Sequence, residues 1–235
     1  MREHRVFVGT LNAGEATLSG SDAQHLAQVL RVRPGTRVRA FDGAGLEAAG
    51  IVTGVDSFRV TLTLESPEPS AVEASLKVTL AVALLKGDKL AEVVRRGTEL
   101  GVADFRLFTS LRCDVRELSA NKLERLRRVA QEAAKQSGRS VVPPVAEAVK
   151  LGRLELDPFS LVADPYADAT LRDHLSAHPS DRVSVVTGPE GGLDSAEVAA
   201  LTDRGAYPVR LGARILRAET APVALAAALL VPEGL

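Results

Sequence analysis

The chain has 235 residues, 46% of them hydrophobic, and a net charge of −1, enough material to bury a core in either one domain or two. A single cysteine, Cys113, allows no internal disulfide. No apolar run approaches the roughly 18 residues of a membrane span, and MREHRVFVGT has neither a signal core nor a transit pattern. A disulfide scaffold and a membrane protein are thereby excluded, and the expected location is cytoplasmic. Near-neutral charge argues against a nucleic-acid partner, but the charge is segregated. Lys and Arg number 7 against 8 acids over residues 1–70, 15 against 10 over 71–150 and 7 against 12 over 151–235. A basic middle beside an acidic end suits an RNA-facing surface next to a pocket for a cationic ligand; solvated helix faces would give the same segregation.

In chain order, RVFVGT, ATLSG, TRVRAFDG, LEAAGIVTGV and FRVTLTLE read as short strands separated by Gly-rich turns. SDAQHLAQVLRV interrupts them as a helix, with Ser21 or Asp22 available as a cap and Leu26, Val29 and Leu30 as its apolar stripe. This pattern predicts a small β-barrel over residues 1–70, ending in the polar linker PEPSAVE (67–73). From 71 to 235 strands alternate with helices, the rhythm of a sheet with crossover helices. The strands are LKVTLAVALL, DFRLFTS, FSLVADP, RVSVVTG and YPVRLG, of which VSVVTG is apolar enough to be buried on both faces. The helices are DKLAEVVRRGTELG, NKLERLRRVAQEAAKQS, DSAEVAALTDRG and ETAPVALAAALLV.

Two segments concentrate the chemistry. In TGPEGGLDSAE (187–197) a buried strand runs into a loop with Gly188, Gly191 and Gly192; Asp194 or Ser195 then caps a new helix, with Glu197 completing the pair. In LGARILRAETAPVA (211–224) another strand end leads through Gly212 to an apolar helix. Small residues let a ligand approach the backbone, and strand C-terminal ends are where open α/β sheets bind ligands. The two loops therefore plausibly share one pocket, although a tight turn with a good cap also accounts for the first. In the second, Arg214, Arg217 and Glu219 are charges set among Ile215, Leu216 and the last helix. Ordinary surface arginines and a helix-start acid explain them equally well at this level. There is no GxGxxG after the first strand, no GxxxxGK[ST], no GxSxG and no HExxH. Dinucleotide, nucleotide-hydrolase, serine-hydrolase and zinc-protease readings fail, and no metal site is expected.

GPEGG and LGARILRAETA, together with KGDKLAEVVRRGTELGV (86–102) and EAAKQSGRSVVP (132–143), resemble the bacterial 16S ribosomal RNA uracil-N3 methyltransferases of the knotted α/β (SPOUT) class. HLAQVLRVRPGTRVRAFDGAG resembles that family's barrel domain. The resemblance spans nearly the whole chain, and its motifs occur in the family's order. It implies a PUA-like barrel followed by a SPOUT domain with a trefoil knot, a homodimer, S-adenosyl-L-methionine as cofactor, and 16S ribosomal RNA or the small ribosomal subunit as partner rather than DNA or a membrane. Another knotted methyltransferase acting on tRNA or on ribose, and a non-catalytic RNA-binding assembly factor, are the alternatives.

Carried onto this sequence, the resemblance implies cofactor contacts from Gly188, Pro189, Glu190, Gly191, Gly192, Leu211, Gly212, Ile215, Leu216 and Arg217, with Ala163 at the preceding strand end. For methyl transfer to a uracil nitrogen, a cation near the carbonyls would stabilise developing negative charge, with Arg217 first and Arg139 second. Glu219 is a candidate base or a group orienting Arg217. A nitrogen nucleophile needs no covalent assistance, which leaves Cys113 structural. RNA contacts fall to Arg31, Arg33, Arg37 and Arg39 around the RPGTRVR turn, and to Lys122, Arg125, Arg128 and Lys135 along the long basic helix. With 3% aromatic residues, few stacking platforms exist, which favours a structured RNA recognised by shape.

Overall fold

The computed structural model describes residues 4–56, 58–177 and 180–231, and the chain divides into two compact units. The first comprises Met1–Glu73 with Ala134–Val142, the second Ala74–Ala133 with Pro143–Leu235.

The first unit holds strands β1 (His4–Phe7), β2 (Gly14–Ser19), β3 (Arg37–Phe41), β4 (Leu46–Val55), β5 (Arg59–Leu64) and β6 (Glu68–Pro69). Their order is β1-β3-β4-β5-β2, with β6 paired to β4. Only β1 and β3 run parallel. Alternation decides which side faces in: on β5, Val60, Leu62 and Leu64 are buried between exposed or half-buried neighbours. Both edge strands contribute to the same apolar cluster, Val6 from β1 and Leu18 from β2, so the sheet curls round a single core. The expected helix is α1 (Gly20–Gln24) continued by a π-helical turn, His25–Val29. Asp22 lies within it instead of capping it, and its carboxylate takes Lys135 Nζ at 2.7 Å. Arg31, just beyond, has φ 52°, the only positive φ outside glycine among the described residues.

Segment 134–142 joins this unit through a buried charge network. Glu73 accepts from Arg139 Nε at 3.0 Å and Nη2 at 2.8 Å, and from the amides of Ser140 at 3.0 Å and Val141 at 2.9 Å. Ser140 Oγ donates to Glu47, which also takes Arg5. Burial alone would raise the Glu47 carboxyl, but the Ser140 and Arg5 hydrogen bonds outweigh it and hold the group below its ordinary value.

The second unit is a sheet of six parallel strands in the order β12-β10-β11-β7-β8-β9. They are β7 (Lys77–Ala83), β8 (Asp104–Thr109), β9 (Val149–Lys150), β10 (Phe159–Ala163), β11 (Arg182–Thr187) and β12 (Ala206–Val209). The connecting helices are α2 (Lys89–Leu100), α3 (Ala120–Ser137), α4 (Leu171–Ala177), α5 (Ser195–Asp203) and α6 (Thr220–Leu230). The apolar runs of β7 and β11 are buried on both faces, as central parallel strands must be. Apolar all round, α6 packs on α2, β7 and β11 and buries Leu225, Ala226, Leu229 and Leu230, so it is a core helix. The chain lays down β10 two places from β7, and β11 then enters the slot between them. No described helix is long and apolar enough to cross a membrane.

Candidate active site

Strands β10, β11 and β12 are neighbours and end together, at Ala163, Thr187 and Val209. The loops that leave them surround a cavity of about 440 Å³, within the range of small-molecule sites. Both glycine segments meet there, as their positions at strand ends predict. Ala163, Gly188, Pro189, Glu190, Gly191 and Gly192 line the cavity from one side, and Leu211, Ile215, Leu216, Arg217 and Glu219 from the other.

The first loop is shaped by close packing. A Cβ added at Gly188 would stand 2.8 Å from the Leu193 amide nitrogen, so no side chain fits; Gly192 turns with φ 71°. The loop ends in a true capping box: the Asp194 carboxylate accepts from Ala196 N at 3.1 Å, and Glu197 accepts from Asp194 N at 2.9 Å. Glu197 also accepts from Leu111 N at 2.7 Å, and Arg112 bonds Asp194 at 2.7 Å and the Gly191 carbonyl at 3.3 Å. Glu190 Oε1 accepts from Lys89 Nζ at 2.9 Å and from Lys86 N at 3.1 Å. Its partial burial would raise the carboxyl, but the Lys89 hydrogen bond and backbone donors prevail and lower it. Lys89 is correspondingly raised by Glu190.

The second loop is more open. Gly212 does not line the cavity; it turns the chain with φ 70° on the exposed side, between Leu211 and Arg214, which do line it. Ile215 is 72% exposed. The Arg217 carbonyl accepts from the amides of Thr220 and Ala221 at 2.9 and 3.0 Å, starting α6, and the exposed residue lines the cavity. Glu219 Oε2 is shielded from solvent, accepts no hydrogen bond among the described residues and stands 3.6 Å from Lys89 Nζ.

Several sequence expectations are corrected. Arg139 is 5% exposed and committed to Glu73 in the first unit, whereas all the cavity-lining residues belong to the second. Its charge is thus committed to an internal ion pair. Lys135 is paired with Asp22 with its side chain 12% exposed, which removes it from an RNA-facing surface. Arg39 is divided between Glu47 at 3.6 Å and Glu68 at 3.5 Å, and Arg125 is held by Asp88 at 2.6 Å. Arg31, Arg33, Arg37, Lys122 and Arg128 are exposed and form no ion pair among the described residues.

Lys89, Arg112 and Tyr166 line the cavity without having been singled out from the sequence. A lysine in the first turn of a helix opposes the helix dipole, and that was the available signal for Lys89. Asp-Pro-Tyr after a buried strand was a weaker one for Tyr166, and nothing in the spacing marks Arg112.

Residues 72–230 match the RNA methyltransferase domain and 18–65 the RNA methyltransferase PUA domain. Among similar proteins, ribosomal RNA small subunit methyltransferase E of Bacillus subtilis is 31% identical, the alignment covering 88% of this chain and 86% of that one. Its Synechocystis counterpart is 35% identical over 95% of this chain and 76% of its own. The crystal structure of ribosomal RNA small subunit methyltransferase E from Neisseria gonorrhoeae, bound to S-adenosyl methionine, superposes with a TM-score of 0.90 at 31% identity, covering 98% of each chain. The fold and site are those of an RNA methyltransferase. The chain belongs to the ribosomal RNA small subunit methyltransferase E family.

Proposed function

We propose that the protein transfers the methyl group of S-adenosylmethionine to N3 of a uridine in 16S ribosomal RNA of the small subunit. The observation that carries this reading is the cavity formed by the two glycine loops, with Arg217 and Glu219 at one wall, in a chain of this family. The cavity suits the cofactor. Pro189, Leu193, Val209 and Leu216 offer apolar walls for a purine, Gly188 and Gly191 let the loop pack tightly on Leu193 and Arg112, and Glu190 suits a cationic ligand. The methyl group is supplied on a sulfonium, whose C–S electron pair leaves with sulfur as N3 forms the new bond to carbon.

The remaining work belongs to the chain. Losing the N3 proton places negative charge on the uracil carbonyl oxygens. Arg217, exposed on the open loop, is the donor for that charge; one such donor contributes about 2.7–4 kcal/mol in other active sites. Glu219 Oε2, ion-paired with Lys89 at 3.6 Å, is the acceptor for the proton. Cys113 is buried beside Ser110, with no part in the chemistry.

The first unit, spanning the PUA match, is the RNA-binding domain in this reading, with Arg31, Arg33 and Arg37 as phosphate contacts; Lys122 and Arg128 add to them from α3. The protein works as a cytoplasmic homodimer whose second unit carries the family's trefoil knot, a reading that rests on its membership of this family. The test is incubation of small-subunit particles with methyl-labelled S-adenosylmethionine, digestion to nucleosides and mass spectrometry. N3-methyluridine from 16S RNA is expected. Label on ribose or on tRNA would refute the substrate, and no cofactor binding by calorimetry would leave a non-catalytic assembly factor.

A further inference from the structure

Lys89 enters the cavity from a third direction, as the first residue of α2. A cation is out of place there, because a helix N-terminus carries partial positive charge of its own. Two carboxylates hold it, Glu190 at 2.9 Å and Glu219 at 3.6 Å, one from each glycine loop. They differ in what remains to them. Glu190 Oε1 takes both Lys89 and the Lys86 amide. Glu219 Oε2 receives only the attraction of the ammonium across 3.6 Å; it is shielded from solvent, and the residue stands at the start of α6 without capping it. A carboxylate oxygen whose partner is a single ammonium at 3.6 Å keeps lone-pair capacity for an incoming donor.

We propose that Lys89 is a positioning residue for methyl transfer: bridging Glu190 and Glu219, it ties the loops after β7, β11 and β12 together and presents Glu219 Oε2 as the acceptor for the substrate's imide proton. This rests on the methyltransferase reading above. The arrangement also selects the base. Uracil offers an N–H at N3, where cytosine has a lone pair that a carboxylate repels.

The test uses the full chain as Lys89→Met, Lys89→Arg, Glu219→Gln and the double variant Lys89→Met/Glu219→Gln. Single-turnover methylation of small-subunit particles and calorimetric binding of S-adenosylhomocysteine, which cannot react, are measured in parallel. Lys89→Met is expected to lower the rate at saturating cofactor and RNA about 100-fold, with the RNA KM within about threefold, and Lys89→Arg to return within about tenfold of the parent. Added to Glu219→Gln, Lys89→Met should cost less than about threefold more, because it acts through Glu219. It should also weaken S-adenosylhomocysteine about tenfold by untethering the Glu190 loop, while Lys89→Arg does not. Multiplicative losses in the double variant, an unchanged saturated rate in Lys89→Met, or equal S-adenosylhomocysteine affinity in Lys89→Met and the parent would each overturn the proposal. A parent that binds the cofactor but leaves uridine N3 unmethylated would instead overturn the reading beneath it.

Discussion

The two glycine loops occupy equivalent places, each leaving the C-terminal end of a parallel strand for a helix, yet they are held in opposite ways. The loop after β11 is fixed at every step: Gly188 is packed against Leu193, Glu190 is bound by Lys86 and Lys89, and Asp194 closes a capping box that Arg112 and Leu111 reinforce. Along the loop after β12, residues 212–215 are exposed, and among the described residues no hydrogen bond or ion pair holds a side chain between Leu211 and Arg217. One wall of the cavity is therefore built before any ligand arrives, and the other is left to adjust. Rigidity on one side supplies preorganisation, and openness on the other lets a large RNA substrate approach.

Substitutions can break that contrast. Arg217→Ala, on the open loop, should lower methylation about 10²- to 10³-fold while the melting temperature stays put. A comparable loss of stability would show the loop to be part of the scaffold. Gly188→Val, on the fixed loop, should do the reverse, costing about 1–3 kcal/mol in stability through overpacking and weakening cofactor binding about 100-fold by calorimetry. Asp194→Ala removes the cap and should cost about 1 kcal/mol in thermal unfolding, with a smaller effect on binding.

The smallest effect is a pH dependence. Glu190 is held below its ordinary value of 4.5 despite burial that pushes upward, because Lys89 and backbone amides stabilise the charged form. Its contribution to stability is therefore present above that ordinary value and lost as pH falls through the lower value of the folded state. The melting-temperature gap between the parent and Lys89→Met should accordingly narrow under acid, measured from about pH 6 to about pH 3.

Much of this was legible in the sequence because it is local. LEAAGIVTGV forms β4 over its whole predicted length, and DSAE announces its capping box. Glycines at two strand ends predict a shared cavity, and the chain delivers it. What could not be read depends on partners far along the chain. Arg139 and Lys135 sit in a basic stretch that invites an RNA reading, but Glu73 and Asp22, remote in sequence, neutralise them. Nor does composition reveal that segment 134–142 packs with the first unit, since its network is assembled from Glu73, Glu47 and Arg5. Gly212, a contact only by resemblance, turns the chain with positive φ between Leu211 and Arg214, a conformation its sequence neighbours do not announce. Short elements such as β9 and α4 carry too little periodicity to be seen.

Strand order gives the site a history. Because β11 occupies the slot between β10 and β7, the backbone bearing the fixed loop takes its place only beside strands from both earlier parts of the unit. The cavity, which needs the loops after both β11 and β12, is then completed only once β12 and the open loop have emerged from the ribosome. A molecule that binds only the finished cavity stabilises the finished fold by mass action. Cofactor supply in the cell would thus bear on how much correctly folded protein accumulates, as well as on how fast it turns over.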